Sequence, residues 1–141
     1  MKPIEHQNDL WLIHSEKESL KTVAKDYTRY VFVGNVEYQI TIFAGSKTDL
    51  ATIPRPLWVI YPRDGEYAEA AAIHDLLYYK RYLDRGLCDT IFYELMKQDS
   101  VDILTRNLFY KAVRMFGGLY YYKASSVKRG DMKGIIRKIK N

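Results

Sequence analysis

Residues 71–78 read Ala-Ala-Ile-His-Asp-Leu-Leu-Tyr. Alanines and leucines without glycine or proline favour a helix. With Ala70, Ile73 and Leu77 at helical spacing, that helix lies in the core. Helical geometry stacks the His74 imidazole over the Tyr78 phenol at i and i+4 and sets Asp75 beside it. The helix is expected to run from Glu66 to Leu83 with Asp64 as its N-cap, and Asp84-Arg85-Gly86 turns the chain. A second helix, Leu87–Gln98, places Ile91, Phe92, Leu95 and Met96 on one side. Asp99-Ser100 is read as the cap of a third, in which Ile103, Leu104, Leu108, Phe109, Ala112, Val113 and Phe116 repeat as a core face. Gly117-Gly118 is expected to weaken it before the Tyr120–Tyr122 run.

The first third reads differently. Tyr27–Val33 and Val36–Phe43 flank Gly34-Asn35, a two-residue turn with glycine first, as a type II′ hairpin prefers. Val36, Tyr38, Ile40 and Ile42 alternate with Glu37, Gln39 and Thr41, so one face is expected buried and the other wet. Trp11–Ile13 adds a candidate third strand, and Lys17–Lys21 reads equally as the start of a short helix. Between Phe43 and Gly65, prolines and glycines forbid a long regular element, yet Leu50, Ile53, Leu57, Trp58 and Ile60 need burial. Polar Asp49 and Arg55 in that segment need partners, as structural clamps or as site residues. The fold class is α+β: an N-terminal β-hairpin or small antiparallel sheet packed on a bundle of three helices. Residues 1–122 form one domain, and 123–141 form a basic C-terminal tail.

Composition is that of a globular chain, 48% hydrophobic and 28% charged, with thirteen tyrosines. One cysteine, Cys88, excludes an intramolecular disulfide and a cysteine-rich zinc site. Its neighbour Asp89 would raise its pKa and blunt it as a nucleophile. No N-terminal run resembles a signal peptide, and no stretch approaches the roughly 18 apolar residues of a membrane span. The net charge of +5 gathers late, in Lys123, Lys128, Arg129, Lys133, Arg137, Lys138 and Lys140 against Asp131. Interleaved with Ile135, Ile136 and Ile139, this tail suits nucleic acid, an anionic lipid surface or an acidic protein, and reads equally as a solvated terminal helix.

The chemistry gathers at His74. If the first two helices run antiparallel, Asp89 faces His74 and can hold the tautomer in which the imidazole takes a proton from water. Tyr78 can in turn fix Asp89. Asp75 points about 100° away around the helix, so it is available for a hard cation such as calcium, which would polarise an ester carbonyl. These are the parts of a metal-assisted ester hydrolase. They are also a common way to pack two helices, with Asp75 paired to Arg55, Arg63 or Lys80. A metal-dependent phosphohydrolase would need more histidines than His6 and His14 supply.

Two resemblances meet at these residues. Thr48-Asp-Leu-Ala-Thr-Ile-Pro-Arg55, with Ala71–Tyr78 and Cys88-Asp-Thr-Ile-Phe-Tyr-Glu-Leu-Met, resembles a domain-of-unknown-function family of tailed phages and prophages. Its signature pairs Thr-Asp-Leu-Ala-Ser-Ile-Pro-Arg with His-Asp-x-Leu-Tyr; Thr52 for Ser is the one departure in the first motif. The resemblance implies a phage origin and makes Thr48 and Arg55 further site candidates. His74-Asp75-x-x-Tyr78 followed by Asp89-x-x-Phe92 is similar to the two-helix core of phospholipases of the A-two class. It implies His74 as general base, Asp75 as calcium ligand, Asp89 as partner of the His and Tyr78 as support of that Asp. Those enzymes precede the helix with a glycine-rich loop, where this chain has Trp58-Val-Ile-Tyr-Pro-Arg-Asp-Gly; Asp49 or Asp64 would have to replace its ligands.

The expectation is a phage-encoded, calcium-assisted ester or lipid hydrolase, with Trp58, Tyr61 and Tyr67 as an interfacial rim. The rival is a non-catalytic virion or assembly protein that binds neighbouring subunits, host proteins or DNA. The expected location is host cytoplasm or virion.

Overall fold

The computed structural model describes residues 10–14, 21–48, 66–123 and 133–139. The chain groups into two compact units, Met1–Asp49 with Lys128–Asn141, and Leu50–Val127. Asp49, Arg55, Trp58, Tyr61, Arg63 and Asp64, singled out in the sequence, lie outside the described residues, as does the side chain of Thr48.

In chain order the elements are β1 (Leu12–His14), β2 (Lys21–Val23), β3 (Tyr27–Val33), β4 (Val36–Ile42), β5 (Lys47–Thr48), α1 (Ala68–Lys80), α2 (Arg85–Gln98), α3 (Ile103–Lys123) and β6 (Gly134–Ile139). This is an α+β fold, with two small antiparallel sheets and three helices among the described residues.

The first unit holds both sheets. β3 and β4 pair in full register from Tyr27↔Ile42 to Val33↔Val36. Gly34 alone of the two turn residues takes a positive φ, 61°, as a type II′ turn requires. Opposed Tyr27 and Ile42, Arg29 and Ile40, and Val31 and Tyr38 are buried together. On the other face Thr28 and Thr41 share a hydroxyl hydrogen bond, and Gln39 donates to the Tyr30 hydroxyl. Glu37 departs from the expected alternation and is buried, because β6 lies along β4 with Ile139 opposite it. Residues 134–139 are therefore a strand, not a solvated helix. Trp11–Ile13 is matched by β1, which joins β2 and β5 in a second sheet rather than the hairpin.

Ser46 ties the two sheets together. Its carbonyl accepts the Val23 amide from β2, while its buried hydroxyl donates to the Lys133 carbonyl and accepts the Lys133 amide, both at 2.8 Å. The Phe43 amide also donates to the Lys133 carbonyl. These bonds hold the start of β6 against the end of β4, and sequence periodicity gave no warning of them.

The second unit is helical. Every residue from Ala70 to Tyr78 is buried, so α1 is a core helix except at its ends. It ends at Lys80, before the expected Leu83, because Arg81 turns left-handed at φ 54°. Asp84 caps α2 by accepting the Leu87 amide, so this helix begins two residues ahead of expectation. Cys88, Ile91, Phe92, Leu95 and Met96 form its buried face. The cap of α3 is Asp102, which accepts both the amide and the hydroxyl of Thr105; Asp99 instead closes α2. α3 runs unbroken through Gly117-Gly118. Its buried face is narrower than the sequence suggested: Thr105, Phe109, Ala112 and Val113 are inside, whereas Ile103, Leu104, Leu108 and Phe116 are exposed. One helix face spans only part of the turn, and seven apolar positions exceed the arc that meets α1 and α2.

Deleting residues 133–141 should lay open the β6 side of β4. Hydrogen exchange on the truncated chain is expected to show lost protection at β4 amides facing β6, with the amides facing β3 still protected.

Candidate functional site

α1 and α2 bring His74 and Asp89 together at the expected register. His74 is 1% exposed and Asp89 0%. His74 Nε2 lies 2.7 Å from Asp89 Oδ1, and the Tyr78 hydroxyl donates to the same oxygen at 2.5 Å. Asp89 Oδ2 accepts Arg114 Nη1 at 2.8 Å and has Arg85 Nη1 at 3.6 Å. The imidazole packs against the rings of Tyr78 and Phe92, tilted 44° and 36° to them, with centroids 4.1 and 4.8 Å away.

This geometry determines the protonation states. Burial acts to raise the Asp89 pKa, but hydrogen bonds from His74, Tyr78 and Arg114 outweigh it and hold the carboxyl below its ordinary range. An ionised carboxylate only accepts, so Nε2 carries the proton that points to it and Nδ1 carries the lone pair. Burial holds the His74 pKa below the ordinary imidazole value, against the pull of Asp89. Burial also pushes the Tyr78 phenol up, aided by Asp89, so it stays a donor. Cys88 is pushed up to about 12 by burial and then by Asp89 and Asp84, which leaves it a thiol.

The remaining candidates divide. Asp75 is buried and engaged with other groups. Among the described residues no three His, Cys, Asp or Glu side chains gather to hold a metal ion. Asp49 and Arg55 lie outside the described residues, and Thr48 is described only as the end of β5.

Sequence reasoning read the third helix but missed what it brings to the site. Arg114 completes the carboxylate, and Arg85 anchors α3 by donating to the carbonyls of Val113 and Arg114. The available signal was Gly117: an interior helical glycine costs about 1 kcal/mol against alanine, which marks a close approach.

The family model for the family described as "Protein of unknown function (DUF1353)" matches residues 23–113, about two-thirds of the chain. The chain belongs to that family. The DUF1353 match takes in His74, Tyr78 and Asp89 and stops one residue before Arg114. No curated protein and no solved structure matches the chain.

Asp89→Asn should destabilise this DUF1353 chain by about 3 kcal/mol in urea unfolding, because the amide cannot serve His74, Tyr78 and Arg114 together. Arg114→Met should cost less, since that side chain is 39% exposed. The pH dependence has a definite sign. His74 stays neutral when folded, so below pH 6.5 the unfolded chain binds a proton that the folded chain does not. Stability is then expected to fall as pH falls from 6.5, and His74→Gln should flatten that part of the curve in thermal melts.

Proposed function

We propose that this chain is a hydrolase of esters, with lipid esters as the first candidates, and that His74 is its general base. The observation that carries the reading is the double hydrogen bond to Asp89 Oδ1, which holds the imidazole in the tautomer a base requires. His74 Nδ1 would take a proton from water as the oxygen attacks the ester carbonyl. The resulting imidazolium, stabilised by Asp89, would return that proton to the departing alkoxide. Asp89 and Tyr78 act by orientation and charge. His74 would have to be uncovered for water and ester to reach it.

A calcium ion on Asp75 belongs to the same proposal and would polarise the carbonyl when bound. Among the described residues Asp75 lacks a gathered set of further ligands, so the proton transfers are assigned to His74 alone. A phage setting, with lipid cleavage directed at a host envelope, also belongs to it.

The closed character of the cluster favours a second reading. A buried His, Tyr and Asp, joined to two Arg that are 18% and 39% exposed, tie three helices whether or not they react. The chain would then be a virion or assembly component, with exposed Leu104 and Met115 on α3 and basic Arg137 and Lys138 on β6 as contact surfaces for protein or DNA. No helix among the described residues is long and apolar enough to cross a membrane.

Turnover of fluorogenic phospholipids and simple aryl esters, with calcium or with chelator, tests the choice. His74→Ala is expected to lower kcat by at least about 100-fold while the fold persists. Absence of wild-type turnover across the panel under both conditions would remove the hydrolase reading. DNA retention that weakens steeply with salt would then favour the second.

A further inference from the structure

We infer that Gly117 is a positioning residue of the His74 site: its missing side chain is the gap through which the Tyr78 hydroxyl reaches Asp89. The inference rests on the hydrolase reading for its catalytic meaning, while its geometry is independent of turnover.

α3 is continuous across Gly117, where a glycine is a poorer helix former than alanine. The position is buried, and a Cβ built there would stand 2.5 Å from the Tyr78 hydroxyl oxygen. It would also come within 3.2 Å of Tyr78 Cε2 and 3.3 Å of Arg85 Nη1. A carbon does not approach an oxygen at 2.5 Å without displacing it. The Tyr78 ring has little room to yield, with the tilted His74 ring at 4.1 Å and Tyr121 edge-on at 5.3 Å. A methyl group at position 117 therefore drives the hydroxyl off Asp89 Oδ1 and crowds the guanidinium that anchors α3 through Val113 and Arg114. Asp89 would keep His74 and Arg114 but lose the donor that shares an oxygen with the imidazole. The orientation of that oxygen, and of the ring it holds, would loosen.

A cycle of Gly117→Ala, Tyr78→Phe and the double variant separates this role from ordinary packing. The full chain is followed by proton NMR of the Tyr78 hydroxyl, thermal melting and ester turnover. The wild type is expected to show a downfield, slowly exchanging hydroxyl resonance that both single variants lack. Gly117→Ala should melt below the wild type, yet add much less destabilisation in the Tyr78→Phe background, because the obstructing oxygen is then gone and only the milder contacts with the ring edge and Arg85 remain. With a substrate that turns over, kcat of Gly117→Ala should fall by about tenfold to the Tyr78→Phe level, with KM within about twofold. A Gly117→Ala protein that keeps the resonance and its kcat would overturn the inference. So would destabilisation by the two substitutions that simply adds. If the wild type hydrolyses no ester, the hydrolase reading falls by itself, and the resonance with the melting cycle still decides the role of Gly117.

Discussion

A carboxylate removed from water persists only where donors replace its hydration shell. Asp89 has no exposure, and its two oxygens are met from all three helices: His74 and Tyr78 of α1, Arg85 of its own α2, and Arg114 of α3. Each donor constrains an element. The α1–α2 register must bring two side chains one turn apart onto one oxygen. α3 must come close enough for Arg114 to reach the other oxygen, and the glycine at 117 permits that approach. Apolar packing by Ile73, Leu77, Phe92, Leu95 and Phe109 supplies the driving force for the bundle. It does not discriminate finely between registers, because apolar contacts are not directional. The carboxylate network does.

The same demands shape its chemistry. An acceptor that is fully supplied with donors stays ionised, and an ionised acceptor dictates which nitrogen of its histidine carries the proton. Stability and a poised imidazole are thus two consequences of one arrangement. A scaffold can use such a network for specificity of packing, and a hydrolase can use it for a base. What distinguishes them is whether a substrate reaches Nδ1.

In the sheet unit a small hydroxyl has a comparable part. Ser46 offers its carbonyl to β2 and its hydroxyl to both sides of the Lys133 peptide, fastening β6 along β4. Arg137 and Lys138 consequently stand exposed on a sheet edge and blunt that edge against further pairing.

Local chemistry settled much of this protein in advance. The Gly34-Asn35 turn, the alternation of Tyr38, Ile40 and Ile42, and the helical spacing of His74 and Tyr78 are short-range patterns, so the hairpin and the first two helices could be read from them. The His74–Asp89–Tyr78 grouping was legible too, since it needs only two neighbouring antiparallel helices. The strand at 134–139 was not, because its partner β4 is remote in sequence and its isoleucines suit a helix as well as an edge. The exposed Leu104 and Leu108 were misjudged as core, since periodicity marks an apolar arc without saying how much of it a neighbour covers. Arg114, Arg85 and Gly117 belong to the same class. Their roles depend on how closely α3 approaches the other helices, and that distance exists only once the helices have packed.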